Sequence, residues 1–359
     1  MNSPHTAVEP APGEPLLTVS NITKYFPGGG SGLFSRRGAP IKAVDGVSFE
    51  VSAGETLGLV GESGCGKSTT GRVVSKLLEP TSGEIHFNGR NIAGLHQREM
   101  RGYRKDIQMI FQDPYSSLNP RHTIGTIVGA PFHIQKVHTE HGVKAEVQRI
   151  MERVGLNPEH YNRYPHEFSG GQRQRIGIAR ALALQPKLIV CDEPVSALDV
   201  SVQAQVVNLL EDLQAEFGIA YVFIAHDLSV VRHISDRVAV MYLGKVMEIA
   251  DRDVLYSKPV HPYTHALMSA VPVPDLETER RRERILLKGD LPSPSNPPSG
   301  CVFHTRCPKY REELTDDQRT RCRTQQPVLE EKAPGHKAYC HFAGPRKEIT
   351  NLLAAGSVA

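Results

Sequence analysis

Short apolar runs recur along the chain and predict buried strands. They cover residues 57–60, 107–111, 188–191 and 221–225. A continuous apolar run of this length is typical of a strand that is covered on both faces of a parallel sheet. Since α/β sheets bind their ligands at the carboxyl ends of the strands, polar residues that follow these runs are candidates for binding and catalysis.

Other patterns predict a β region before the first run and a helical region after the second. Residues 41–51 alternate apolar and polar, residues 16–20 have strand character, and Asn88-Gly89 marks a hairpin after 84–87. Residues 115–165 are mainly helical but broken by proline and glycine, with apolar residues at helical spacing over 143–154. Residues 27–40 contain five glycines and predict a flexible insertion.

The residues after the first run have the spacing of a phosphate-binding loop. They read Gly61-Glu62-Ser63-Gly64-Cys65-Gly66-Lys67-Ser68-Thr69. Glycines let the backbone curl so that N–H groups point at an anion, and a helix starting at about Gly66 adds its positive end. Lys67 would reach the β- and γ-phosphates, and Ser68 would hold Mg²⁺. A glycine-rich turn that binds nothing is the weaker alternative, because strand, Lys-Ser and helix all agree.

A second anion site is predicted about 100 residues later, at Ser169-Gly170-Gly171-Gln172. Ser169 is a suitable N-cap for the following helix, and the glycines leave backbone N–H groups open at the helix start.

Polar residues follow the three later runs. Asp192 and Glu193 follow 188–191, where Asp192 would hold Mg²⁺ and Glu193 would polarise the attacking water; the alternative is a solvated acidic turn. Gln112 could reach the metal or a water, but on these residues alone a surface glutamine is the better interpretation. His226 ends a third strand at the same edge, which favours contact with a γ-phosphate over a structural role.

Charge and hydropathy give no indication of a nucleic-acid partner, a membrane surface or a bilayer-spanning helix. The chain has 42 basic and 39 acidic residues and a net charge of +3, which by itself indicates neither nucleic acid nor a membrane surface. No run of 18 apolar residues is present, so no bilayer-spanning helix is expected. Residues 1–15 are polar and proline-rich without a signal-peptide core, which predicts a disordered tail and a cytosolic protein whose six cysteines are not in disulfides.

In this order the motifs resemble those of an ATP-binding subunit of an ABC transporter, over residues 16–270. The resemblance is carried by 61–68, Gln112, 168–172, Asp192-Glu193, Ser196-Ala197-Leu198-Asp199 and His226. Phe168 departs from the family's usual leucine. The resemblance implies a P-loop NTPase of the ABC type: an α/β fold with a parallel-sheet core, an antiparallel β subdomain and a helical insertion at about 115–180. It also implies ATP and Mg²⁺ as cofactors, with Gln112 and Asp192 near the metal.

The family resemblance assigns further roles. Two nucleotide-binding domains pair head to tail, so Ser169, Gly170, Gly171 and Gln172 would contact ATP that the partner chain holds. Phe26 aligns with the aromatic that stacks on adenine, with Tyr25 as the second choice; an ordinary strand-end aromatic pair is the alternative.

Residues 111–120, 261–264, 292–294 and 300–308 resemble more narrowly the importers of di- and oligopeptides, and the F-type of their two ATPase chains. This implies a C-terminal extension over 271–345, a tail over 346–359, a second ATP-binding subunit (a heterodimer, or else a homodimer) and two permease subunits. An extracytoplasmic binding protein would be an indirect partner. The chain itself would lie peripherally at the cytoplasmic face of the cell membrane and would not bind nucleic acid. Related importers carry nickel or oligosaccharides.

Two rival classes fit less well. A soluble ABC ATPase of ribosomes or DNA usually has tandem nucleotide domains or a long coiled-coil insertion, but the motifs occur once and no sustained heptads are present. A catalytically dead regulatory module disagrees with intact Lys67, Asp192, Glu193 and His226.

Four cysteines cluster near the C-terminus, at positions 301, 307, 322 and 340. Four thiolates can enclose a zinc ion or an iron–sulfur cluster. Their spacings of five, fourteen and seventeen residues lack a Cys-x-x-Cys pair, so spacing alone does not choose a metal. The family resemblance of Cys301, Cys307, Cys322 and Cys340 implies a four-iron, four-sulfur cluster of structural role; four unligated thiols are the alternative.

Overall fold

The computed structural model describes residues 14–28, 38–113, 117–271 and 284–345. Most of the predicted N-terminal tail (1–13), the centre of the glycine-rich segment (29–37) and the predicted tail 346–359 lie outside the described residues. Within the described part, no helix combines the length and apolar content needed to cross a bilayer.

Strands and helices alternate along most of the chain. The strands are β1 (Leu17–Gly28), β2 (Gly38–Val51), β3 (Thr56–Val60), β4 (Ser82–Phe87), β5 (Arg90–Asn91), β6 (Ile107–Ile110), β7 (Leu188–Asp192), β8 (Ala220–Ile224), β9 (Arg237–Tyr242), β10 (Lys245–Asp251), β11 (Leu329–Ala333) and β12 (His336–Tyr339). The α-helices are α1 (Lys67–Val74), α2 (Gln97–Met100), α3 (Ile124–Gln135), α4 (Val143–Arg153), α5 (Gly170–Leu182), α6 (Val200–Phe217), α7 (Leu228–Ile234), α8 (Arg252–Ser257), α9 (Pro262–Ala270), α10 (Pro308–Glu312) and α11 (Asp316–Thr324). Short 3₁₀ helices lie at Tyr103–Lys105, Pro158–Asn162 and Pro165–Glu167.

The main sheet has eight strands in the order β11-β12-β10-β9-β3-β8-β7-β6. Strands β3, β6, β7, β8 and β9 are parallel to their neighbours in this group. The four predicted apolar runs form β3, β6, β7 and β8, which confirms the predicted parallel core. Their carboxyl ends share one edge, where the phosphate-binding loop and the acidic pair follow.

Each face of the main sheet packs against a different layer. On one face Ile189, Cys191 and Phe223 belong to a core shared with the helices α3 to α6. On the other face Val190, Val222 and Ile224 pack in a core shared with α1 and the antiparallel sheet. Because β7 and β8 are buried on both faces, their sequences are continuously apolar except for Asp192, the last residue of β7.

A second, antiparallel sheet has the order β2-β1-β4-β5 and confirms the predicted antiparallel β subdomain. Strands β1 and β2 are longer than expected and pair as far as Gly28 and Gly38. The prediction of a flexible insertion over 27–40 is therefore wrong at both its ends. Backbone hydrogen bonds of the ladder need no side chain, so the glycines continue the strands.

Helices occupy the described part of the segment 115–180, where a helical insertion was predicted. Helix α3 packs against α5 and α4 and begins at the N-cap Thr123, whose hydroxyl accepts from the Thr126 N–H. Helix α5 also contacts β6, which connects this region to the main sheet.

The C-terminal residues do not form a separate unit. The hairpin β11–β12 extends the main sheet, since Ala338 and Lys337 of β12 pair with Glu248 and Ile249 of β10. Phe303 and the buried cysteines belong to the same apolar core as the helices. The described part of the C-terminal region therefore shares the apolar core of the rest of the chain.

Candidate active site

The loop after β3 depends on glycine at two positions. Gly61 has φ +152° and Gly66 has φ +105°, a region of backbone conformation that favours glycine. A Cβ atom at Gly61 would lie 2.1 Å from the Met241 carbonyl oxygen, and one at Gly66 would lie 2.1 Å from the Ala43 carbonyl oxygen. The loop is therefore packed tightly against β9 and β2, and its curled shape requires both glycines.

Helix α1 begins at Lys67, directly behind this loop. Its N-cap, Gly66, makes no side-chain hydrogen bond, and its first turn holds no acidic residue. Since the first N–H groups of a helix have no partner within the helix, this end is suited to an anion. The buried Lys67 Nζ donates to the carbonyl oxygens of Gly61, at 2.8 Å, and Glu62, at 3.1 Å. Ser68 and Thr69 follow on the first turn, half-buried.

Asp192 ends β7 with an exposed fraction of 0%. Neither of its carboxylate oxygens has a hydrogen-bond partner, although Arg72 Nη2 lies 3.7 Å from one of them. A buried carboxylate without partners is costly unless something else compensates its charge. Asp192 and the Ser68 hydroxyl are oxygen donors of the kind that Mg²⁺ prefers, so these residues fit a magnesium ion.

Glu193 brings the predicted catalytic side chains together. Its φ of +47° is unusual for a residue other than glycine and is typical of functional sites. Gln112 Nε2 donates to Glu193 Oε2 at 2.7 Å, and His226 Nδ1 lies 3.9 Å from the same oxygen. Gln112 is exposed, as the alternative of a surface glutamine expects, yet its side chain is hydrogen-bonded into this cluster.

Ser169 and Gln172 satisfy each other at the start of α5. Gln172 N–H donates to Ser169 Oγ at 3.4 Å, and Ser169 N–H donates to Gln172 Oε1 at 3.0 Å, which forms a capping box. Both side chains are exposed, and a Cβ at Gly171 would lie 2.5 Å from Val202. The first turn of α6 therefore lies against this motif, while the side chains of Ser169 and Gln172 are exposed.

Aromatic residues of β1 lie near the antiparallel sheet's end. The Tyr25 hydroxyl donates to Asp45, and burial together with Asp45 raises the pKa of Tyr25 to about 12. Phe26 is half-buried, with Lys24 Nζ 5.3 Å from its ring centroid. The Tyr25 hydroxyl is thus occupied within the sheet, and a role for Phe26 in binding adenine stays a prediction.

The four C-terminal cysteines line one small cavity of about 20 Å³. Burial raises the pKa of Cys307 to about 12 and of Cys340 to about 11, and it also raises the pKa of Cys301 and Cys322. The N–H groups of Tyr310 and Phe342 donate to the sulfurs of Cys307 and Cys340, both at 3.4 Å.

The donor set of four cysteines suits zinc or an iron–sulfur cluster. In the described residues, however, no three histidine, cysteine or acidic side chains are spaced to hold a metal ion. The arrangement of the side chains therefore does not support the expected cluster directly. The features that agree with a cluster are the burial of the cysteines and the chemistry of their sulfur atoms.

Sequence reasoning missed Arg306, which lies between two of these cysteines and reaches the phosphate-binding loop. Its Nη1 is 2.8 Å from Glu62 Oε2. The only sequence signal was an arginine in the segment 300–308, and nothing in that segment indicated Glu62 as its partner.

Two protein families match the chain. Residues 44–196 match the family described as ABC transporter, and residues 247–313 match the one described as oligopeptide/dipeptide transporter, C-terminal region. The oligopeptide transport ATP-binding protein AppF of Bacillus subtilis is 56% identical over 330 residues, 92% of this chain and 98% of that protein. A putative peptide import ATP-binding protein of Brucella ovis is 53% identical over 91% of this chain and 97% of its own length.

Solved structures with the same fold are also ABC cassettes. A dimeric ATP-binding cassette, MJ0796, in a post-hydrolysis state bound to ADP and Pi, has a TM-score of 0.58 and 28% identity, covering 66% of this chain and 98% of that chain. The protein cbiO1 of Clostridium perfringens, part of the transporter complex cbiONQ, has a TM-score of 0.57 and 26% identity, covering 68% and 91%.

Proposed function

The chain belongs to the ABC transporter family, in the branch of oligopeptide transport ATP-binding proteins, and on that premise we propose that it binds and hydrolyses ATP to drive the import of di- or oligopeptides across a membrane. One observation carries the proposal: a single sheet edge holds the phosphate-binding loop, the buried Asp192 and the cluster of Gln112, Glu193 and His226.

ATP binds through its phosphates in this proposal. The curled loop and the N-terminus of α1 supply N–H donors, and phosphate oxygens take the place of the two carbonyl oxygens at Lys67 Nζ. Asp192 and Ser68 would hold Mg²⁺, with Gln112 as a further candidate ligand. Mg²⁺ bound there would neutralise charge that develops on the transferred phosphate.

Glu193 is the base that accepts a proton from the attacking water. Its hydrogen bond from Gln112 fixes the carboxylate, and His226 on the same side is available to a γ-phosphate. Glu193, His226 and Gln112 are thus the catalytic residues of the proposed reaction.

The exposed motif at 169–172 supports a paired arrangement. Ser169 and Gln172 are exposed, so a nucleotide held by a second ATP-binding subunit would meet this helix start and its polar side chains. ATP would therefore close the pair and hydrolysis would reopen it. The second subunit is a different chain in this proposal, and a second copy of this one is the alternative outcome.

The remaining partners follow from the transport role. Two permease subunits carry the peptide, which an extracytoplasmic binding protein delivers, and this chain lies at the cytoplasmic face of the membrane without touching the peptide.

A transport assay tests the proposed function. A deletion strain that carries wild type should take up labelled di- and oligopeptides, whereas Glu193→Gln should not. Glu312→Gln is the matched control, since Glu312 is exposed at the end of α10. Uptake of nickel or oligosaccharide instead of peptide would overturn the substrate, and co-purification with ribosomes instead of membrane subunits would overturn the transport role.

We further propose that Cys301, Cys307, Cys322 and Cys340 bind one structural metal centre, an iron–sulfur cluster. Free thiols are protonated at neutral pH, and burial raises the pKa of each of these four further, so binding as thiolates would release protons. A bound centre would also join three segments of the C-terminal region. The N–H donors at Cys307 and Cys340 would stabilise thiolates once they form.

Metal content after anaerobic purification tests this second proposal. Wild type should contain iron and inorganic sulfide, and Cys307→Ser should lose both. Cys191→Ala, which leaves the four thiols intact, should retain them. Zinc without iron would replace the cluster by a zinc site, and protein free of both metals would overturn the proposal.

A further inference from the structure

An ion pair connects the cysteine-bearing loop 301–307 to the phosphate-binding loop. Arg306 Nη1 lies 2.8 Å from Glu62 Oε2, and the side chain of Arg306 is only 11% exposed. The guanidinium also lies over the ring of Tyr242, 5.9 Å from its centroid. An ion pair that is largely withdrawn from water is screened less than a surface pair, so its loss is felt more strongly.

Glu62 is held at three points. Its side chain pairs with Arg306, its N–H donates to the Tyr263 hydroxyl at 3.1 Å, and its carbonyl oxygen accepts from Lys67 Nζ at 3.1 Å. The same residue is therefore in contact with the C-terminal region, with α9 and with the lysine that would bind phosphate.

The loop that carries Arg306 is firmly seated. Phe303 packs against Tyr242 and Tyr263, with ring centroids 5.2 Å apart in both pairs. Arg306 N–H donates to the Phe303 carbonyl oxygen at 3.0 Å, and Cys301 N–H donates to the Cys322 carbonyl oxygen at 2.8 Å. Because the aromatic cluster fixes the loop, Arg306 is held where it can hold Glu62.

We propose that Arg306 is a positioning residue for ATP binding. It favours ATP binding in two ways. It keeps Glu62 in the conformation from which the curled loop presents its N–H groups, and it compensates a carboxylate that would otherwise repel the nearby phosphates. The C-terminal region thereby contributes to a nucleotide site that it does not itself form. This inference rests on the proposed function, since it concerns ATP at the phosphate-binding loop.

Equilibrium binding of ATP with Mg²⁺ to the purified full chain tests the inference. Arg306→Ala should raise the Kd about tenfold, because the uncompensated Glu62 carboxylate then repels the phosphates and the loop is no longer held in place. Arg306→Lys keeps the charge but loses the planar guanidinium, so its Kd should lie between the two. Arg323→Ala, an exposed arginine of the same region that bonds Thr320, is the matched control and should bind as wild type does.

Further readouts separate positioning from a general loss of structure. In the assembled transporter Arg306→Ala should raise KM for ATP with kcat little changed, while its metal content stays near wild type. If Arg306→Ala fails to fold, Arg306→Met, which keeps a long unbranched side chain but has neither charge nor hydrogen-bond donor, replaces it with the same expectation.

The double variant Arg306→Ala/Glu62→Gln completes a double-mutant cycle with the two single variants. The two changes should not be additive in Kd, because they remove the same pair. Equal ATP affinity of folded Arg306 variants and wild type would overturn the inference alone. A wild-type chain that binds no ATP would instead overturn the proposed function.

Discussion

Gln112 and Glu193 are 81 positions apart, and a 2.7 Å hydrogen bond joins Gln112 Nε2 to Glu193 Oε2. The contact arises because β6 and β7 are neighbouring parallel strands, paired from Ile107 with Leu188 to Ile110 with Cys191. Both residues follow the carboxyl ends of their strands and so meet at one edge of the sheet. An amide that orients a carboxylate here suits a base that must face one water.

Replacement of Glu193 by glutamine should separate ATP binding from turnover. The amide occupies nearly the same space but cannot take a proton, so turnover should fall by about 10²- to 10⁴-fold, while the Kd for ATP changes little. ATPase assays of the assembled transporter, with ATP binding measured on the full chain, check this. Glu312→Gln should behave as wild type, and full turnover in Glu193→Gln would remove Glu193 from the mechanism.

Loss of the Lys67 side chain should weaken ATP binding. Each charge-assisted hydrogen bond contributes about 1.5–3 kcal/mol, so Lys67→Ala should raise the Kd by at least about 10- to 150-fold. Titration with ATP and Mg²⁺ gives the value. Lys258→Ala, at an exposed lysine after α8, provides the comparison. An unchanged Kd in Lys67→Ala would mean that the loop does not hold the phosphates.

An arginine side chain at position 169 should block pairing with the second ATP-binding subunit. It should not affect the binding of ATP to this chain's own phosphate-binding loop. Ser169→Arg should keep the wild-type Kd for ATP but fail to form the ATP-dependent pair, measured by light scattering in the Glu193→Gln background. Thr315→Arg is matched to it, because Thr315 and Gln318 form the same capping box at the start of α11. Both changes remove an N-cap, so a general loss of helix stability would affect both variants. Only Ser169→Arg should stop pairing. A Ser169→Arg protein that still pairs would refute the role of this motif in trans.

Glu248 should stabilise the attachment of the C-terminal hairpin in a pH-dependent way. The fully buried carboxylate accepts from His336 Nε2 at 2.6 Å and from the N–H groups of Val260 and His261 at 2.8 and 3.0 Å. Burial alone would raise its pKa, but these hydrogen bonds outweigh burial and lower the pKa below its ordinary value. Glu248→Gln should therefore lower the free energy of unfolding at pH 7 by about 3 kcal/mol.

The sign of the pH dependence follows from that lowered pKa. As pH falls, the unfolded state binds the proton first, so the contribution of Glu248 is present above its unfolded pKa and is lost as pH falls through its folded pKa. Urea unfolding at neutral and acid pH should show the difference between wild type and Glu248→Gln shrinking in acid. The exposed Glu140→Gln should show no such change, and a pH-independent difference for Glu248→Gln would contradict the assignment.

Local patterns predicted much of the site because its chemistry is local. The spacing from Gly61 to Ser68 reflects a backbone that must curl, and the positive φ of Gly61 and Gly66 is the physical requirement behind it. The apolar runs predicted buried parallel strands because a strand that is covered on both faces has no solvent-exposed position for a polar side chain.

Other contacts had no local signal. Gln112 alone looked like a surface residue, and only the pairing of β6 with β7 brought it to Glu193. The glycines of residues 27–40 predicted a flexible insertion. Glycine content does not reveal that the backbones at Gly28 and Gly38 lie close enough to form a ladder.

By itself, the sequence determined the phosphate-binding loop, the parallel core and the order of the motifs, since each depends on neighbours along the chain. Only the tertiary structure decided that β12 adds to the main sheet beside β10 and that Arg306 pairs with Glu62. Strand addition and ion pairs join residues far apart in sequence, and any exposed strand edge or any carboxylate would satisfy the same local pattern. Packing in three dimensions is what selects one of them.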